Sequence, residues 1–258
     1  MFLLAVFFSG LILAMENGIL PGAAEIEYWK WTGVVLCLAS ALISRRRGKH
    51  GEPLPIFVLT GCSLADLFLL FTTQWEIGIA AFCLVQLCLS FILISREQTI
   101  QLCLITGGLV FIAGLLLKLP KLICLALFYT IQTAFNLSAA LGILIDTFPL
   151  KRTAGRRKEI KSEFQSSDIQ TRIWTAVGVV LLALCDLNVV LFQLGGSRTA
   201  AGAWIWPFYM PALLCFAQAA RLSKPSMTKD REFLPGKTTA FGSFSSPPES
   251  DGSIKYKS

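Results

Sequence analysis

The sequence predicts an all-α polytopic membrane helix bundle of about eight transmembrane helices, and three observations carry that expectation. Of the 258 residues, 54% are hydrophobic and only 15% charged, where a soluble domain carries about a quarter charged residues. The apolar residues gather into stretches of roughly 17 to 24, each long enough at about 1.5 Å per residue to cross about 30 Å of hydrocarbon. The basic residues fall almost entirely on alternate connections between those stretches. A backbone in lipid must satisfy its own hydrogen bonds, so each stretch is read as a helix.

The expected spans lie at about 2–20, 28–44, 55–73, 77–95, 100–117, 121–145, 173–194 and 202–220. The first starts at Met1 with no basic leader, which favours a retained helix over a cleaved signal peptide. Glu16 stands near its far end. The second opens on Trp29-Lys30-Trp31 and closes before Arg45-Arg46-Arg47. The third carries Asp66 and the fourth Gln86. Gly107, Gly108 and Gly114 of the fifth are read as close helix packing. The sixth holds Tyr129 and Gln132, the seventh Asp186 and Asn188, and the eighth Tyr209 between Pro207 and Pro211. Trp29, Trp31, Trp75, Trp174, Trp204 and Trp206 all stand at or near span ends, as an aromatic belt requires.

Orientation follows from Lys and Arg. One side holds four basic residues in 45–49, one at Arg96, seven in 151–172 and seven from Arg221 onward, 19 together. The other has only Lys30, Lys118, Lys121 and Arg198. A split of 19 to 4 places both termini in the cytoplasm of a multi-pass protein of the cell membrane. It also favours an even number of spans. The domain plan is a transmembrane domain over 1–221 with a basic cytoplasmic loop at 146–172, followed by a disordered cytoplasmic tail at 222–258. The loop suits contact with anionic lipid.

These features exclude several function classes. The net charge of +7 resides in loops and the tail, not on a folded basic face, so no nucleic-acid partner is expected. The eight cysteines all lie in apolar stretches without a CxxC pair, which excludes a disulfide framework or zinc site and makes them small buried side chains. The single histidine, His50, is in a loop. No metal and no cofactor is expected, and neither a glycine-rich phosphate loop nor a GxSxG elbow occurs.

Two acids lie deep within spans, Asp66 and Asp186, and an intramembrane carboxylate is a functional hypothesis by default. Both helices run in the same direction, placing the pair roughly 16 and 20 Å from the inner edge. Gln86 falls at roughly 16 Å, and Tyr129, Gln132 and Tyr209 between roughly 14 and 20 Å. A polar layer drawn from five helices points to a mid-membrane pocket, against the plainer reading of an aspartate as a hydrogen-bond hub between helices. A protonated acid beside an ionised base suits general acid/base hydrolysis and equally a proton relay. A weak echo, Ser63-Leu64-Ala65-Asp66-Leu67 against Ala183-Leu184-Cys185-Asp186-Leu187, allows spans one to four and five to eight to be parallel repeats.

The segments around these residues resemble the YhhN family of eight-helix membrane proteins, the family of the lysoplasmalogenases. Gly61-Cys62-Ser63-Leu64-Ala65-Asp66 is similar to that family's S-L-L-G-D signature. Ile77-Gly78-Ile79-Ala80-Ala81-Phe82-Cys83-Leu84-Val85-Gln86 is similar to its G-x-A-x-F-x-x-x-H stretch. Val177 to Asp186 resembles the helix with its second Asp, and Phe208-Tyr209 resembles a Tyr-Tyr or Cys-Tyr pair. The likeness runs in order over about 220 residues. It marks a divergent member: Gln86 stands where the family usually has His, Ala65 where it has Gly, and Asn188 where Ser is common.

The resemblance implies hydrolysis of the vinyl ether of a lysoplasmalogen to a fatty aldehyde and a glycerophospho-headgroup. Asp66 and Asp186 would then be catalytic, with Gln86, Tyr129, Gln132, Asn188 and Tyr209 binding substrate. Its partners would be the bilayer and a membrane lipid or lysophospholipid. Two other readings use the same residues: a proton-coupled transporter and a non-catalytic lipid-binding relative. The carrier reading expects helices broken by Gly or Pro near the midplane, for which Pro207 and Pro211 are the candidates.

Overall fold

The computed structural model describes residues 7–8, 10–12, 14–15, 25–46, 53–147, 163–195 and 201–223. Among these, all regular structure is helical. Seven helices follow the helical residues between 7 and 15: α1 Ile26–Arg46, α2 Leu54–Phe71, α3 Trp75–Leu93, α4 Arg96–Leu117, α5 Lys121–Thr147, α6 Glu163–Gly195 and α7 Ala201–Leu222. Six of the seven contain a stretch long and apolar enough to cross a membrane, the sixth being Ile169–Gly195 within α6. The protein is a polytopic helical membrane bundle. Most of the expected first span, most of the basic loop and nearly all of the tail lie outside the described residues.

The helix ends have local causes. Prolines 53 and 55 occupy the start of α2, where a missing N–H is not needed. Ser95 caps α4, its hydroxyl accepting from the Gln98 backbone N–H and donating to the Gln98 side-chain oxygen. Lys118 ends α4 in the left-handed region at φ 51°, and Pro120 starts the next turn. Arg172 of α6 donates to the Leu93 carbonyl at 2.8 Å, placing a cation at the C-terminus of α3.

Contacts between helices close a ring in the order α1, α2, α3, α5, α6, α7 and back to α1, with two contacts across it, α2 to α7 and α3 to α6. Exchanging α1 with α5, α2 with α6 and α3 with α7 maps this set of eight contacts onto itself. That is the pattern expected if spans two to four and six to eight are equivalent. The helix α4 sits outside the ring against α3 and α5, and Leu104, Ile105, Leu109, Phe111 and Leu116 on it are exposed, as a lipid-facing helix requires.

Gly33, Gly61, Gly78 and Gly178 allow close approach within the ring. A Cβ on Gly78 would lie 2.6 Å from Leu69 of α2 and 3.3 Å from the Ala65 carbonyl. One on Gly178 of α6 would lie 2.5 Å from the Phe216 ring of α7. Of the glycines expected to pack in α4, Gly114 does so, with Cys124 at 2.8 Å from its notional Cβ, while Gly108 meets nothing.

The structure corrects four expectations. Helix α6 starts at Glu163, not near 173, so part of the expected loop continues the helix as a polar extension. Trp29, Trp75, Trp174 and Trp204 are exposed as belt residues, but Trp206 is buried and Trp31 donates its indole N–H to the Ser63 carbonyl. Helix α7 is long enough to span but is not among the six strongly apolar ones. It is an inner helix, with Trp206, Tyr209, Met210, Leu213 and Phe216 enclosed. It also runs without a break through Pro207 and Pro211.

Candidate functional site

Asp66 on α2 accepts from the Tyr209 hydroxyl of α7 at 2.7 Å. Asp186 on α6 accepts from the Tyr129 hydroxyl of α5 at 2.6 Å. Each carboxylate is thus tied to a tyrosine on another helix, Asp66 across the ring and Asp186 on the adjacent helix. Asp66 and Tyr209 are buried, and Tyr129 and Asp186 are half-buried.

Two cysteines join the halves. Cys62, one turn before Asp66, lies within electrostatic reach of both Asp66 and Asp186. Cys185, adjacent to Asp186, is likewise in reach of both carboxylates and of Cys62. The two aspartates therefore share one neighbourhood across the α2–α6–α7 interior. Sequence reading treated these cysteines only as packing; the positions 62/66 and 185/186 held the signal.

The polar stripe of α5 behaves differently along its length. Tyr129, Gln132, Thr133 and Asn136 fall at i, i+3, i+4 and i+7, one face of the helix. Tyr129 meets Asp186, and its hydroxyl also faces the Gln86 and Thr133 side chains. Asn136 donates to the Gln86 side-chain oxygen at 2.7 Å and to its backbone carbonyl at 2.9 Å. Ser90 donates to Asn136 at 2.7 Å, and Thr99 of α4 reaches the Ser90 carbonyl at 3.3 Å. Asn136 thus fixes the Gln86 amide oxygen, and the Gln86 side chain stands beside Tyr129. Asn136 and Ser90 were missed in the sequence, although the i+7 spacing from Tyr129 marks Asn136.

Two of the expected site residues stand apart from the aspartates. Gln132 is fully buried but donates to Cys103 of α4 at 3.2 Å, and its side-chain oxygen has no partner among the described residues. Asn188 returns its amide to the Leu184 carbonyl of its own helix at 2.8 Å. Two residues beyond Asp186 is about 200° around a helix, so it cannot share Asp186's face. No cluster of metal-ligating side chains occurs among the described residues.

What the arrangement can do chemically is hold two carboxyl groups in a low-dielectric interior, each oriented by a phenol and both within reach of Cys62 and Cys185. One can carry a proton while the other stays ionised, which is the equipment of general acid/base chemistry. The model of the YhhN family matches residues 27–220 of this chain, which includes all four residues of the two aspartate–tyrosine pairs. No curated protein and no solved structure matches it.

Proposed function

Because the chain belongs to the YhhN family, we propose that it is a membrane lipid hydrolase that cleaves the vinyl ether of a lysoplasmalogen, using Asp66 and Asp186 as its acid/base pair. The observation that carries the reading is the pair of tyrosine-anchored carboxylates in one neighbourhood, Asp66–Tyr209 and Asp186–Tyr129. The reaction needs little else. A carboxylic acid protonates the alkene carbon beyond the ether-bearing one, leaving an oxocarbenium ion. Water, activated by the partner carboxylate, adds to it, and the hemiacetal collapses to a fatty aldehyde and the glycerol hydroxyl. The carboxylate also stabilises the cation electrostatically in a water-poor interior. The phenols hold the carboxyl groups in place, and the Gln86 amide, held by Asn136, orients Tyr129. Gln132 and Asn188 enter this reading only as outer residues.

The substrate enters from the bilayer, as befits a single-chain lipid. We further propose that the protein resides in the cell membrane with both termini cytoplasmic, supported by the 19 to 4 division of basic residues. The carrier reading has less support, since α7 continues through both prolines. The deciding experiment is aldehyde release by the purified protein from 1-alkenyl-glycerophospholipid, beside Asp66→Asn and Asp186→Asn. The wild type should release aldehyde, and each variant should lose at least about a hundredfold. Absence of aldehyde with wild type, under conditions where an active family member works, overturns the reading.

A further inference from the structure

We propose that Lys30 and Glu27 on the first turns of α1 form a headgroup site for a phosphoethanolamine lipid, Lys30 holding the phosphate and Glu27 the primary ammonium. This rests on the reading of the Asp66–Asp186 neighbourhood as a lipid site and names the headgroup for it.

Three contacts lead from Lys30 to Asp66. Its ammonium lies over the Trp206 ring, 5.3 Å from the centroid. Trp206 meets Tyr209 edge to face, with centroids 5.4 Å apart. Tyr209 donates to Asp66 at 2.7 Å. A cation and a reacting carboxylate are therefore separated by two aromatic rings, near the N-terminal ends of α1 and α7. A lysine at a membrane interface ordinarily sends its ammonium out towards water. The Lys30 side chain is instead only 11% exposed, against 38% for Glu27.

Glu27 supplies the second half. One carboxylate oxygen takes the Lys30 ammonium at 3.2 Å. The other, Oε2, is buried with no hydrogen-bond partner among the described residues. A buried acceptor left without a donor loses its hydration and regains nothing, so the site calls for an incoming N–H or O–H. The ammonium of ethanolamine carries N–H donors, and the trimethylammonium of choline carries none. Phosphate is a natural partner for a lysine ammonium. In a 1-alkenyl-glycerophosphoethanolamine only the glycerol unit separates phosphate from vinyl ether. A phosphate seated at Lys30 therefore delivers the ether past Trp206 towards Tyr209 and Asp66.

The test is equilibrium binding to the purified full-length chain, followed by tryptophan fluorescence. The probes are three non-cleavable lipids: 1-alkyl-glycerophosphoethanolamine, its phosphocholine counterpart and 1-alkylglycerol. Wild type should bind the ethanolamine lipid roughly tenfold tighter than alkylglycerol and measurably tighter than the choline lipid. Lys30→Met should bring both phospholipids to the alkylglycerol level, while Lys30→Arg keeps the phosphate preference. Glu27→Gln should abolish the ethanolamine-over-choline preference and keep the preference for phosphate. Equal binding of all three lipids by wild type overturns the proposal, as do unchanged preferences in the variants, which would leave Lys30 a mere tie between α1 and Trp206 of α7. If Lys30→Met does not fold, Glu27→Gln still decides. Because none of the probes can be hydrolysed, failure to release aldehyde from a vinyl ether leaves this result standing, and the reverse also holds.

Discussion

The hydroxyl of Tyr209 donates to the carboxylate of Asp66 across 143 positions of sequence, joining the last helix of the ring to its second. Tyr129 does the same for Asp186 from the preceding helix. The ring's internal symmetry would give Asp186 a partner from α3, the counterpart of α7. The phenol comes from α5 instead. The two carboxylates are thus alike in their tyrosine contact and unlike in what stands behind it.

Removing either phenol should cost activity without removing a carboxylate. A hydrogen bond to a charged group contributes about 1.5–3 kcal/mol, so Tyr209→Phe and Tyr129→Phe should each lower kcat/KM by roughly ten- to a hundredfold. Kinetics of aldehyde release with the two variants check this. Wild-type rates in both would show that the phenols do not orient the carboxylates.

The architecture was readable in the sequence because hydropathy and charge asymmetry report directly on the bilayer. The two aspartates were readable for the same reason, an acid in hydrocarbon being conspicuous. What pairs with them was less so. Depth along a helix puts Gln132 and Tyr129 in one layer, yet rotation about α5 sends the first to Cys103 of α4 and the second to Asp186. Asn188 shares the depth of Asp186 and faces away from it. Trp206 looked like a belt residue and is buried, because α7 is inside the bundle and helix ends alone do not show which helices are central. The weak echo around Asp66 and Asp186 became informative only with the contact pattern, in which every contact of the ring has its counterpart.

Asn136 is the hub of the buried network on the α3–α5 side, with bonds to Gln86 and Ser90. Asn136→Leu strands the Gln86 side-chain oxygen, while the Ser90 hydroxyl keeps only the Gln86 backbone carbonyl of its own helix, at 3.0 Å. Single interhelical hydrogen bonds in membranes average only about 0.6 kcal/mol, but buried groups left unpaired cost about 1–3 kcal/mol. The variant should therefore unfold at lower denaturant or temperature than wild type by an amount in the latter range. Alanine at Ser138, which bonds only its own helix and is exposed, should be near neutral in the same measurement.

Gly78 should be intolerant of a side chain for a reason tied to the site. Its notional Cβ meets Leu69 at 2.6 Å and the Ala65 carbonyl at 3.3 Å, and Ala65 immediately precedes Asp66. Gly78→Val must push α3 from α2 at the level of that carboxylate. Aldehyde release should fall by tenfold or more, roughly the loss that a small misplacement of reacting groups produces. Gly108→Ala on α4, where nothing lies within 4 Å, should leave both activity and folding unchanged. Equal effects of the two substitutions would remove the link between Gly78 and Asp66.

Gln86→His places an imidazole where the amide now receives from Asn136 and faces Tyr129. In its neutral form an imidazole can do both jobs, accepting from Asn136 at one nitrogen and donating to the Tyr129 oxygen from the other. Protonated, it has only donors, so the Asn136 NH2 then meets N–H in place of a lone pair. The sign follows: the variant should work above the ordinary histidine pKa of about 6.5 and lose activity below it. The amide of wild type has no proton to gain at this position and should lack that loss. The measurement is the ratio of variant to wild-type aldehyde release across pH, which should fall as the medium is made more acidic through the imidazole range. A ratio that stays flat would mean that residue 86 does not bear on the Tyr129–Asp186 pair, and the role given to Asn136 in orienting it would go with it.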